Sequence, residues 1–307
     1  MATVATTHSI VPLQLAGNTT EQQNEALLQN LREAGQEAFQ AAINELDRQT
    51  VQSVLEAKNQ LKSEVTAQVL EVIRRHAASN KYLSEAVGSN LGYPASYRVR
   101  PIEAQTTELR TAFPKLGSAI EKLARLPLPE GAEGWFAIPR WQALASTYNE
   151  AVEMMVGALS KRRRFSNRVA GRLTEAYLRQ SARSFLAEEI LADQQPGSDI
   201  LVVAAQAGML HRGSSARRTR AALAGNEFGL GTFAFCALLL THPERLSLSG
   251  TLMVDCCGDE YSISGDTTFD RVPLFDFDVS GIEFSIFYED RARNLWGSPT
   301  AFLYKIV

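Results

Sequence analysis

No apolar run in the 307 residues approaches the ~20 needed to cross a bilayer; the longest, within Phe233–Leu240, is far too short. No Lys or Arg precedes the mildly apolar stretch in MATVATTHSIVPLQLAG, so no secretory signal peptide is expected and the expected setting is the cytoplasm. Three cysteines, two of them adjacent (Cys256 and Cys257), cannot build a disulfide framework. Four scattered histidines without paired Cys/His at set intervals make no zinc motif. Neither a Gly-Lys-Ser/Thr phosphate loop nor a Gly-x-Gly-x-x-Gly turn follows the apolar run at 200–205. Internal repeats and low-complexity tracts are missing as well. What is present is an ordinary globular composition, 45% hydrophobic and 21% charged. Its length predicts two domains at about 150 residues each.

Charge is unevenly spread. Residues 161–220 hold twelve basic against five acidic residues, and residues 221–307 hold five against twelve. A block of +7 therefore precedes a block of −7, inside a chain of net charge −3. The basic block either meets an external polyanion or docks on the acidic C-terminal part.

The pattern predicts an α+β protein: a flexible tail over 1–19, a helical region over 20–193, and a compact mixed α/β domain over 199–307. From Thr20 to Val87 there is no proline and one glycine, and apolar residues recur at helical spacing (Leu28, Leu31, Phe39, Ala42, Ile43, Leu46, then Leu61 and Val65). Residues 20–87 are thus a candidate surface for a homo-oligomer or a protein partner, with a break possible around Asp47–Asn59. A Pro/Gly loop at 126–134 marks a sub-boundary. Trp135–Pro139 reads as a short buried extended piece; Trp141–Ser160 and Ser166–Asp193 read as helices. Beyond 199, Ile200–Ala205 and Thr251–Asp255 read as buried strands, Glu227–Leu240 as a buried helix, and the remainder as short strands.

Three candidate sites stand out. Lys161, Arg162, Arg163, Arg164, Arg168 and Arg172 are dense enough for nucleic-acid contact, because guanidinium is a fixed fork for phosphate. Arg168 and Arg172 fall on one face of the expected helix. Next, His211-Arg212-Gly213-Ser214-Ser215-Ala216-Arg217-Arg218 follows a strand and opens a helix. Its free amides, with Arg212, Gly213, Ser214, Ser215, Arg217 and Arg218, make a candidate phosphate or carboxylate site. Pairing of these arginines with Asp255, Asp259 or Glu260 is the alternative. Lastly, Asp255-Cys256-Cys257-Gly258-Asp259-Glu260 ends a strand in carboxylates and thiols. His211, Asp255 and Glu260 are the candidate catalytic groups, through a Cys–His arrangement at Cys257 or through Mg²⁺ on Asp255, Asp259 and Glu260. The alternative for this turn is buried small cysteines in a polar bend.

The order strand, His211-Arg212-Gly213, helix, Phe228-Gly229-Leu230-Gly231-Thr232-Phe233-Ala234 resembles ADP-ribosyltransferases of the poly-ADP-ribose polymerase type. That resemblance implies NAD contact at His211 and Gly213, a strand at the Phe-Gly segment, and a catalytic acid at Glu260 or Glu283. Arg212 splits the family's His-Gly pair, and Thr232-Phe233 stands where the family has tyrosine. His211–Arg218, Asn226–Gly231, Leu239–Leu246 and Asp255–Tyr261 together also resemble uncharacterised proteins of bacterial mobile elements, a likeness that implies context and no activity. The residues themselves name no cofactor. The leading functional expectation is a nucleic-acid-associated or assembly protein. The alternatives are an enzyme on a phosphate-bearing ligand such as a nucleotide or NAD, and a purely structural protein that oligomerises through its helices.

Overall fold

The computed structural model describes residues 10–12, 21–43, 47–57, 59–62, 64–66, 68–69 and 82–306. The chain divides into two units, residues 16–79 and the rest. In the smaller unit, α1 spans Glu21–Ile43 and α2 spans Arg48–Glu56. Asp47 separates them. Its backbone is extended, and its side chain accepts the Thr50 amide at 2.7 Å, which starts a new helix. Short helices thus replace the single long one that the sequence allowed. Residues 70–81 of the expected helical stretch, and most of the expected tail, lie outside the described residues. Part of that tail is ordered strand: β1 (Ile10–Pro12) pairs antiparallel with β13 (Tyr304–Ile306).

Besides the β1–β13 pair, the larger unit holds two larger sheets. One is four-stranded and antiparallel, with β2 (Gly134–Pro139), β5 (Ile200–Gln206), β12 (Thr300–Phe302) and β6 (Glu227–Gly229) in that order. β2 and β5 are buried along their whole length, so the polar alternation of a one-sided strand is missing. The other sheet is built around β9 (Arg271–Asp278), which pairs with β10 (Gly281–Tyr288), β7 (Met253–Asp255) and β8 (Asp259–Tyr261). β3 (Phe165–Asn167) joins β10 in parallel, β11 (Trp296–Gly297) joins β7 in parallel, and β4 (Leu178–Gln180) joins β8 antiparallel. Helices α3 (Ile102–Ala112), α4 (Tyr148–Arg162), α5 (Ala182–Gln194), α6 (Ala216–Ala222) and α7 (Thr232–Thr241) complete the unit. Every residue of α7 is buried, as an all-apolar helix requires. It packs on β2, α3 and α4, and Phe235 meets Phe275 of β9 at 5.5 Å.

Three expectations are corrected. The break expected between 193 and 199 is absent, because β2 pairs with β5 across it and the unit boundary falls near residue 80. The helix expected over 166–193 forms only from Ala182. Asn167 accepts the Val169 amide at 2.9 Å and Gly171 takes φ +74°, so the chain turns before β4. The helix expected from Glu227 is a strand through Gly229 and a helix from Thr232.

The glycines of this last segment permit a close backbone crossing. A Cβ on Gly258 would stand 2.4 Å from the Gly229 oxygen and 2.5 Å from the Gly231 nitrogen. One on Gly231 would stand 2.3 Å from an Asp259 oxygen. The α+β class stands, and among the described residues no helix is long and apolar enough to cross a membrane.

Candidate functional site

The anion site expected at 211–218 is filled by the protein itself. Ser215 caps α6 by accepting the Arg218 amide at 2.9 Å, and its hydroxyl donates to Glu85 at 2.7 Å. Arg217 pairs with the same carboxylate and lies 4.4 Å over the Tyr82 ring. Burial opposes ionisation of Glu85, but the Arg217 and Ser215 contacts outweigh it and hold its pKa low. Gly213 (φ +76°) donates its amide to the Trp296 carbonyl at 2.7 Å and accepts the Val87 amide at 2.8 Å. Ser214 bridges to Ala86. Arg212 donates to the Leu91 carbonyl at 3.3 Å. The alternative reading paired these arginines with Asp255, Asp259 or Glu260; the carboxylate that Arg217 meets is Glu85, from a turn 132 residues earlier.

His211 and Asp255 belong to one buried polar chain. His211 Nε2 lies 2.7 Å from Glu227, which also accepts the Thr300 hydroxyl at 2.5 Å and the Ala224 amide at 3.1 Å. Gln206 donates to Thr300 at 2.9 Å and to the Ser298 carbonyl at 2.8 Å. The Ser298 hydroxyl donates to Asp255. Burial pushes Asp255 up to about 6, with Ser298 opposing. Burial also opposes ionisation of Glu227, but the His211 contact holds its carboxyl below the usual range.

Cys257 does not reach His211. Its thiol faces the Pro299 carbonyl at 3.7 Å, and burial raises its pKa, the reverse of what a nucleophile needs. Asp255, Asp259 and Glu260 diverge rather than converge. Among the described residues no group of three side chains is placed to hold a metal ion.

The basic block is dispersed. Arg163 turns inward to the carbonyls of Pro243 (2.9 Å) and Leu246. Arg162 pairs with Glu108 at 3.1 Å and Arg168 with Glu283 at 2.9 Å. Arg172 and Arg168 sit on a turn, where the helix face predicted for them does not exist. Lys161 and Arg164 stay exposed.

Of the residues that sequence reading selected, Glu260 alone lines an open cleft of about 850 Å³ beside β4. Two helix starts and the β4–β8 ladder form it. Thr147 and Glu150 make a reciprocal capping box at the start of α4, and Ser181 caps α5 by accepting the Ser184 amide at 3.2 Å. These caps present Trp141, Tyr148 and Phe185 as aromatic walls, with Asn149, Gln180, Glu175, Arg179 and Glu260 among the polar lining. Arg179 pairs with Glu260 at 2.7 Å and covers the Phe269 ring at 3.8 Å.

Beneath the cleft, the Tyr148 hydroxyl donates to Asp259 at 2.7 Å. The other Asp259 oxygen accepts the Thr232 amide at 2.6 Å, capping α7, which has Gly231 and no side chain at its own cap. Burial pushes Asp259 up to about 6. Burial likewise pushes Glu188 up to about 7, opposed by the neighbouring Gln180 amide. That amide is close enough to ease the shift, yet neither of its polar atoms, both buried, completes a hydrogen bond.

Sequence reading passed over Trp141, Tyr148, Gln180, Phe185 and Glu188. The two capping signatures, Thr147-x-x-Glu150 and Ser181-x-x-Ser184, each beside an aromatic residue, were the available signal. No protein-family model, curated protein or solved structure matches the chain.

Proposed function

We propose that the protein binds a small hydroxylated ring compound, uncharged and with one apolar face, in the cleft beside β4. Pyranose sugars and nucleosides share this chemistry. The observation that carries the reading is the pairing of aromatic walls with a polar lining of one cation and two carboxylates in one open concavity. Phe185 leaves 47% of its surface uncovered there. Aromatic side chains set beside convergent polar groups in a concave site are a usual signature of a ligand pocket. Phosphate fits poorly: Arg179 is the one cation in the wall, Glu260 neutralises it, and Glu175 adds negative charge. The test is a thermal-shift and calorimetry panel of methyl pyranosides, short neutral oligosaccharides, nucleosides and nucleotides. A ligand selective for the native state must raise the melting temperature. The expected result is a shift with one of the uncharged classes, which also tells sugar from nucleoside; silence from both classes would overturn the reading.

A second reading, assembly through residues 20–87, is favoured by Leu28, Phe39, Val54, Leu61 and Val65, all exposed on or near the helices of the smaller unit. Isolated helices of this length are marginal in water and gain stability from covering such a face. Light scattering should show a full-length oligomer that Leu28→Glu with Phe39→Glu dissociates. A monomer at all concentrations would reject it.

A further inference from the structure

We infer that the face formed by the 288–296 segment and the start of α6 binds single-stranded nucleic acid, at a place separate from the cleft. The two segments lie side by side: the Arg217 amide donates to the Glu289 carbonyl at 2.9 Å, and the Gly213 amide to the Trp296 carbonyl at 2.7 Å. They bring Arg217 near Arg291, with Asp290 3.9 Å from each, and Arg271 lies opposite Tyr288 on the neighbouring strand. The nearby carboxylates are already engaged. Glu85 holds Arg217, Asp270 holds Arg271, and Glu289 holds Arg220, while Asp290 stands 3.9 Å from both Arg217 and Arg291.

Aromatic rings order the outermost cations. Tyr288 is 46% exposed, with exposed Arg291 at 5.5 Å from its ring; Arg271, largely buried and held by Asp270, covers the ring at 3.6 Å. Arg293 lies 4.7 Å over Phe287 and 5.2 Å over Trp296, and those two rings meet edge to face at 4.5 Å. Stacking of this kind fixes a guanidinium plane while its N–H edge stays free for phosphate, so less side-chain freedom is lost on binding. The outer plane of a stacked guanidinium, and an exposed tyrosine edge, are surfaces on which unpaired bases stack.

Cations alone suit any polyanion. Planar groups interleaved with them select a single strand over a phosphopeptide or an anionic membrane. The sequence placed nucleic-acid contact at 161–172, where aromatic residues are sparse; here the same residue types occur together.

The experiment is fluorescence anisotropy with labelled single-stranded oligo(dT) and oligo(U) of about ten nucleotides, a length within one binding-site size, across a salt series. Heparin and anionic phosphatidylserine vesicles serve as competitors. Salt-sensitive binding is expected. Arg291→Glu with Arg293→Glu should weaken it roughly tenfold or more and lower the salt slope by about the two lost phosphate contacts. Tyr288→Ala should weaken oligonucleotide binding and leave heparin binding unchanged. Lys161→Glu with Arg164→Glu should have no effect, and Phe185→Ala, which addresses the cleft, should leave this binding intact. All four variants alter exposed side chains and should melt with the wild type. Absence of binding would overturn the inference, as would loss at 161–164 instead, equal loss of heparin and oligonucleotide on Tyr288→Ala, or binding to vesicles alone.

Discussion

At the end of β5, His211, Glu227, Thr300, Gln206, Ser298 and Asp255 satisfy one another in a closed chain, and Glu85 closes the neighbouring arginine site. Beside β4, exposed Phe185 and half-buried Trp141 and Tyr148 line an open cleft with Arg179 and Glu260. The first region is rich in the residue types of catalysis and the second is plain in sequence. The difference is partnership. A buried polar group without partners is costly, so a dense run of reactive side chains is as readily a self-satisfied core as a site. Phe185, left 47% exposed in a concavity, has no such internal explanation.

The sharpest way to break this comparison is to open the closed chain. Glu227→Ala removes the acceptor for His211, Thr300 and the Ala224 amide together, and should cost about 3–5 kcal/mol, the range for stripping one partner from a buried pair. Urea denaturation measures it, and an undiminished midpoint would mean the chain is not structural. Gly258→Ala follows. Its Cβ would meet the Gly229 oxygen at 2.4 Å, so a loss of about 1–3 kcal/mol or more is expected from overpacking alone.

Proton linkage supplies a finer test. Asp255 is raised from 3.8 to about 6 in the folded state, so its contribution is fully present below about pH 4 and lost as pH rises through 6. His242 runs the other way. Burial lowers it from 6.5 to about 4, so its contribution is present above 6.5 and lost as pH falls toward 4. Asp255→Asn removes only the first trend. The melting temperature of that variant, relative to wild type, should therefore climb with pH between about 4 and 6. A difference that stays flat would mean Asp255 does not titrate in that window.

The smallest effects are expected where the sequence is most charged. Arg162→Gln breaks an exposed pair with Glu108 and should change stability by no more than about 1 kcal/mol, by the same denaturation measurement.

These contrasts explain which parts of the molecule the sequence disclosed. Ile200–Ala205 and Trp135–Pro139 were legible because unbroken apolar runs are buried on both faces, and α7 because its ten residues have no polar side. The 168–177 turn was not, because Arg, Leu, Ala and Tyr favour helix on average while one Asx turn and one glycine at positive φ override them. Glu85 could not be anticipated as the partner of Arg217: pairing over 132 positions follows from topology rather than spacing. The Phe228–Gly231 segment reads as the start of a buried helix, and its glycines, with Gly258, let two backbones cross before the helix begins at Thr232. The cleft was hidden for a related reason. Its walls are separate aromatic residues from two helix starts, and no local pattern links Trp141 to Phe185.

The measurement that separates the two regions most directly is the ligand panel run on wild type, Phe185→Ala and Arg217→Gln together. An exposed phenylalanine contributes little to stability, within about 0.5 kcal/mol, so Phe185→Ala should melt with the wild type, while Arg217→Gln loses its pairing with Glu85 and is read against its own ligand-free melt. The account predicts that an uncharged hydroxylated ring raises the melting temperature of wild type and Arg217→Gln, and not that of Phe185→Ala. A nucleotide or phosphate shift that survives Phe185→Ala and disappears in Arg217→Gln would place the working site at 211–218 and contradict it.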